Sequence, residues 1–213
     1  MQGDILFINK NHVDAARNIY EMHLQEKSLK KYIITVTGET QTGKSEIAYL
    51  LAKLLAADNV TAKVLNMDSY YKIPPKERQA WRKKNGIESI GIQEYDWGKV
   101  NETVDAFKEG KKVTVPYVDV ITKEVDALTT DFSNVDVLIL NGLYAIACKR
   151  SNLNVFIELD YHDSLREQKK SNNEVLDEWR MKELEQEHKV VQSLKENGHY
   201  FVDSDTSLEF YHL

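Results

Sequence analysis

Ile33-Ile34-Thr35-Val36-Thr37-Gly38-Glu39-Thr40-Gln41-Thr42-Gly43-Lys44-Ser45 decides the fold. Its first five residues are β-branched throughout, as suits a strand buried on both faces of a parallel sheet. The next eight match G-x-x-x-x-G-K-[ST] in full, and the two glycines permit a wrapped backbone whose N–H groups point inward onto phosphate oxygens. Lys44 then reaches the β- and γ-phosphates, while Ser45 sets its hydroxyl on Mg²⁺. A helix starting near Gly43 adds the positive end of its dipole. Four such fixed positions coincide by chance in roughly one chain per hundred of this length. The stretch predicts a nucleotide-binding loop at Gly38 to Ser45 (Gly38, Glu39, Thr40, Gln41, Thr42, Gly43, Lys44, Ser45). It leaves the reaction open, because switches, motors and kinases share the loop.

Outward from the loop, strands alternate with helices. Val13 to Leu29 reads as an amphipathic helix before the first strand, and Glu46 to Ala57 as the helix after the loop. Lys63 to Met67 is the next strand, followed by helical patterns over Lys76–Lys84 and Lys99–Glu109, the latter closed by Gly110. Val113–Ile121 and Glu124–Leu128 suggest a hairpin turning at Thr122-Lys123. Val135–Leu140, Val155–Leu159 and His199–Val202 complete the strands, with a long charged helical stretch from Asp163 to about Asn197. This order predicts a doubly wound α/β fold with a parallel sheet, in one domain. The ligand cleft belongs at the carboxyl ends of the strands, with the hairpin as an insertion beside it.

Composition narrows the classes. The chain has 213 residues, 42% of them hydrophobic, and a formal charge of -6. No basic excess speaks for nucleic acid as a partner. The single Cys148 excludes an internal disulfide and a Cys-rich zinc site. No apolar stretch approaches the ~20 residues of a membrane span, and Met1-Gln2-Gly3-Asp4 does not start a signal peptide. A cytoplasmic protein is the expectation. The helix from Val13 can dock on the sheet or on a second copy, so a homo-oligomer stays open. His162 and His188 lack partners at metal-ligand spacing and read as solvated. Lys182 to Lys195 alternates in sign and reads as an exposed, salt-bridged helix.

Asp68 stands at the end of the second strand. A carboxylate there can accept the proton of an attacking hydroxyl or hold a metal-bound water, or merely cap the following turn. Asp96 lies between Tyr95 and Trp97, where a carboxylate can take two hydrogen bonds from a vicinal diol and flat rings can face a sugar or base.

Five segments together carry a resemblance: Gly38–Ser45, Asp68-Ser69-Tyr70-Tyr71, Tyr95-Asp96-Trp97, Val115-Pro116-Tyr117-Val118-Asp119 and Leu140-Asn141-Gly142-Leu143. In this order they resemble the uridine kinase/phosphoribulokinase-like family, over about Lys31 to Cys148. The resemblance implies a P-loop three-layer sandwich with a hairpin near the acceptor (about 111–130) and a helical lid (about 161–180), after an N-terminal extension over 1–30. It implies an ATP- and Mg²⁺-dependent kinase whose acceptor is a hydroxyl of a small molecule, typically a nucleoside. Asp68 would be the catalytic base and, with Ser45, would serve the metal. Asp96 would bind sugar hydroxyls, with Tyr71, Trp97, Tyr117 and Asp119 as further acceptor contacts.

Three positions depart from that pattern. The family's Glu before Gly-Ile/Leu is Asn141, which removes a negative charge near Mg²⁺. The family's Tyr in P-x-Y-D aligns with Val118, and Tyr117 falls one place earlier, which on a strand turns it to the other face. The lid segment from Tyr161 to Lys170 supplies only Arg166, Lys169 and Lys170. Of these, Arg166 and Lys170 are one helical turn apart and can face the phosphates together as charge-stabilising groups. The leading expectation is a nucleoside kinase. A nucleotide-binding regulator with weak catalysis, and a kinase of another alcohol or a sugar phosphate, are the rivals. A GTPase-type switch lacks its N-K-x-D.

Overall fold

The computed structural model describes residues 6–25, 27–119, 121–162 and 177–203. In chain order its elements are α1 (Lys10–His23), β1 (Tyr32–Thr37), α2 (Lys44–Ala57), β2 (Ala62–Asn66), α3 (Pro75–Asn85) and α4 (Trp97–Glu109). Then come β3 (Lys112–Val118), β4 (Val125–Asp131), β5 (Val137–Asn141), β6 (Leu153–Ile157), α5 (Glu178–Ser193) and β7 (Tyr200–Val202).

Five strands form one parallel sheet in the order β2-β5-β1-β6-β7. Side chains alternate across it, so β1 feeds two cores. Ile33 joins Leu138, Leu140, Phe156, Phe107 of α4 and Val191 of α5 on one face. Ile34 and Val36 join Val137, Ile139 and the α1–α2 pair on the other. Every residue of β5 and β6 is buried, as strands covered by helices on both sides must be. The hairpin β3–β4 stands apart as a two-stranded antiparallel sheet.

Several boundaries moved by a residue or more. The first helix starts at Lys10, not Val13, because Asn9 Oδ1 accepts from the His12 amide at 3.0 Å while His12 Nδ1 accepts from the Asn9 amide. It packs on α2 through Ala15, Ala16, Ile19 and Tyr20, which settles its docking within the chain. Met67, expected to continue β2, instead opens a 3₁₀ turn to Tyr70, with Asn66 Oδ1 accepting from the Asp68 amide at 2.9 Å. Of the expected helical stretch from Asp163, the structure describes Glu178–Ser193. Arg166, Lys169 and Lys170 lie outside the described residues.

Candidate active site

Register brings the site together. Val36 of β1 and Asn66 of β2 both pair with Asn141 of β5, so the phosphate loop after β1 and the Asp68 turn after β2 leave the sheet at the same edge. The strand order reverses direction around β1, which is where ligands bind in open α/β sheets.

The loop itself is folded for an anion. Gly43, at φ +85°, occupies the left-handed region and starts α2 without any side-chain cap. Gly43 thus offers the first amides of the helix no side-chain acceptor, and amides at such a helix start suit an anion. A Cβ on Gly43 would lie 2.4 Å from His12 Nε2 of α1, so the extension packs directly against the loop. Thr42 Oγ1 donates to the Glu39 carbonyl at 2.9 Å, and Lys44 Nζ donates to the same carbonyl. Burial lowers the Lys44 ammonium from its ordinary value, with Asp68, Glu187, Glu46 and Glu39 opposing the shift. A partly desolvated cation of this kind is a strong partner for phosphate.

Asn141 Nδ2 lies 3.3 Å from Ser45 Oγ. Mg²⁺ takes few protein oxygens, keeps several waters and draws the rest from substrate phosphates; the Ser45 hydroxyl fits that need, whereas the Asn141 amide nitrogen does not. Turning the Asn141 amide over presents its oxygen to the same place. Ser45 would hold the ion, with Asn141 and Asp68 orienting its waters. Bound there, it would offset charge on the β- and γ-phosphates.

A cleft of about 410 Å³ opens beside this centre, lined by Asp68, Ser69, Tyr70 and Arg78 together with Tyr117 and Lys123 of the hairpin. Val118 also lines it, so the one-residue offset does not take Tyr117 out of the cleft. The hairpin is held in place by Val118, whose amide donates to Ser69 Oγ at 3.2 Å, and by an ion pair from Lys76 of α3 to Glu124. Arg78 stacks over the Tyr71 ring at 3.5 Å.

The other expected acceptor residues sit elsewhere. Asp96 caps α4, accepting from the Lys99 amide at 3.1 Å, and its own amide donates to the Tyr70 carbonyl at 2.7 Å. That contact leaves it beside the cleft rather than in its wall. Trp97 Nε1 donates to the Ile92 carbonyl, and Tyr71 packs edge-on to Tyr95 at 4.6 Å. Asp119 turns back on the hairpin loop, where its Oδ1 accepts from the Ile121 and Thr122 amides.

Two readings need correcting. His188 is not a solvated histidine: its Nδ1 lies 2.7 Å from Oε1 of Glu39, inside the phosphate loop. Nor is α5 a wholly exposed charged helix. Its Glu183 and Glu187 are buried, and Glu187 pairs with Arg82 of α3 at 2.9 Å. Arg82 also holds Glu94 through two hydrogen bonds of 2.8 and 2.9 Å. One signal for this was available, since Glu187 shares a face with Leu184, Val191 and Leu194 at helical spacing.

A phosphate loop and a carboxylate-bearing cleft at one edge of a parallel sheet define a P-loop fold with room for a second substrate, the arrangement of a phosphotransferase acting on a hydroxyl group. The chain belongs to the Phosphoribulokinase / Uridine kinase family, whose model matches residues 33–172. It is 27% identical over 187 residues to the uridine kinase of Ureaplasma parvum serovar 3, covering 80% of this chain and 86% of that one. Among solved structures it resembles the phosphoribulokinase from Rhodobacter spheroides, with a TM-score of 0.61 and 12% identity over 83% of this chain and 71% of that one. D-glycerate 3-kinase from Cryptococcus neoformans superposes with a TM-score of 0.57 at 10% identity, over 94% of this chain and 95% of that one. These likenesses agree with the three-layer fold. No helix among the described residues is long and apolar enough to cross a membrane.

Proposed function

We propose that the chain transfers the γ-phosphoryl of ATP·Mg²⁺ to a hydroxyl of a nucleoside. The observation that carries this reading is the shared edge of the sheet: Asp68 and the phosphate loop flank Asn141 in register, and the Asp68 carboxylate acts on the Lys44 ammonium. Asp68 is exposed to the cleft, where an acceptor hydroxyl can reach it. It accepts the hydroxyl proton as the oxygen attacks phosphorus, and the bond to the β,γ-bridging oxygen breaks. Lys44 and the amides of the loop stabilise the charge on the transferring group. Most of the rate comes from this positioning and electrostatics. Tyr117 walls the acceptor cleft, and Asp96 lies beside it. The uridine kinase relatives favour a nucleoside.

One observation favours a second acceptor class. Lys63, Arg78 and Lys123 line the same cleft, and three cations suit an acceptor that already carries an anionic group. The test is ADP release from Mg·ATP against a panel of nucleosides, polyols and sugar phosphates. Acceptor-dependent turnover that Lys44→Ala and Asp68→Asn both abolish supports the reading and separates the two classes. Turnover that survives Asp68→Asn refutes Asp68 as base.

A further inference from the structure

The phosphate loop is tied to the acceptor side by a chain of buried polar contacts that phosphoryl transfer itself does not require. Glu39, 2% exposed, turns its carboxylate away from the loop's interior. Its Oε2 accepts from the Tyr161 amide at 2.8 Å, and its Oε1 from His188 Nδ1 at 2.7 Å and Gln192 Nε2 at 3.1 Å. The next loop residue, Thr40, donates from Oγ1 to Glu187 Oε2 at 3.4 Å. Glu187 Oε1 accepts from Arg82 Nη1 at 2.9 Å, and Arg82 forks onto Glu94. Glu94 Oε2 in turn accepts from the Gly91 amide at 3.1 Å, closing the 3₁₀ turn that leads into Tyr95 and Asp96. Each side chain in these contacts is at most half-exposed, so water does not compete freely for it.

The buried charges of this chain are unevenly balanced. Glu39, Glu94, Glu183 and Glu187 are each 5% exposed or less. Among the described residues they face two guanidinium groups, Arg82 and Arg180, together with the His188 imidazole. Among the described residues these four carboxylates outnumber the two guanidinium groups paired with them. Lys44 lies in the field of Glu187 and Glu39, and it is bonded to the Glu39 carbonyl. The cation that must grip phosphate is thus also part of the balance of the buried cluster. Phosphate in the loop would compete with that carbonyl for Lys44 and would hold Thr40, which donates to Glu187. Both changes fall on Glu187.

We propose that Glu187 and Arg82 are positioning residues that make the order of the acceptor-side loop, Gly91 to Trp97, depend on occupancy of the phosphate loop. Nucleotide then binds first and prepares the ground beside the cleft. The proposal rests on the reading of Gly38–Ser45 as a nucleotide site, and it needs no knowledge of the acceptor.

Backbone amide hydrogen exchange on the full chain, with and without saturating Mg·AMP-PNP, tests it. Peptides over 38–45 and over 91–97 are both expected to slow, the second by about fivefold or more, the low end of ordinary couplings between sites. Glu187→Gln, compared at saturating AMP-PNP so that any change in affinity is removed, is expected to lose most of the response at 91–97. The conservative Glu187→Asp should restore part of it, which a purely structural role would not do. Protection at 38–45 without slowing at 91–97 in the unmodified chain overturns the relay alone, and needs no variant to fold. An undiminished response at 91–97 in Glu187→Gln also overturns it. No protection at either segment overturns the nucleotide reading and the relay together.

Discussion

Asn141 ends β5 with its amide nitrogen 3.3 Å from the Ser45 hydroxyl, so a neutral side chain touches the residue best placed to hold Mg²⁺. In the family pattern a carboxylate stands there. The substitution leaves a hydrogen-bonding group at the right distance and removes its charge.

Asn141→Glu should therefore tighten the metal requirement. Restoring a charge-assisted contact of about 1.5–3 kcal/mol corresponds to roughly a tenfold or greater fall in the Mg²⁺ concentration for half-maximal turnover. Asn141→Ala should move it the other way. A magnesium titration of ATP turnover checks both, and an unchanged midpoint in both variants would place the metal elsewhere.

Lys44 predicts an alkaline limit on nucleotide binding. Burial lowers its pKa from the ordinary 10.5, so the folded chain holds this proton less tightly than the unfolded chain does. The sign for stability is a cost present below the folded pKa and relieved as pH rises toward 10.5. Phosphate binding runs the other way, because it needs the cation. ATP affinity should fall before pH 10.5 is reached, whereas Lys44→Arg, which stays charged, should show a flatter profile. Equilibrium binding from about pH 8 upward measures this.

Arg82 is 4% exposed and serves Glu94 and Glu187 at once. Arg82→Ala should cost about 3–5 kcal/mol of stability, since it strands two buried carboxylates. Denaturant unfolding of the variant gives the number. Replacing Arg82, Glu94 and Glu187 together with apolar residues of similar volume should recover much of the loss.

Gly142 follows Asn141 where the chain passes over Met67. A Cβ at this position would meet Met67 Cβ at 2.6 Å and Tyr95 Oη at 3.1 Å. Gly142→Ala should cost about 1–3 kcal/mol by overpacking. Because the displaced Met67 adjoins Asp68, turnover should fall by more than the change in melting temperature alone accounts for.

Much of the architecture was legible in the chain. The β-branched run Ile33–Thr37 and the glycines of the loop specify their own local geometry, and Asp68 follows a strand by position alone. The edges were less so. The start of α1 depends on the reciprocal Asn9–His12 cap, and the end of β2 on the Asn66 cap of the Asp68 turn, each a side-chain contact that hydrophobic period does not report. Asp96 and Asp119 look alike in sequence as carboxylates beside aromatic or hairpin residues. Only the fold shows one capping a helix and the other closing a turn.

What the sequence by itself determined is the parallel α/β fold, the phosphate loop at Gly38–Ser45 and the carboxylate at Asp68, because those depend on residues near one another in the chain. Tertiary structure alone decided that Glu39 faces α5, that Glu187 and Arg82 are buried, and that Tyr117 meets Asp68 across one cleft. Glu39 and His188 are 149 residues apart, and Arg82 and Glu187 are 105 apart. A charged residue is read as solvated unless something covers it. What covers these comes from segments that meet only when the sheet has assembled and α5 has packed against α3 and the phosphate loop.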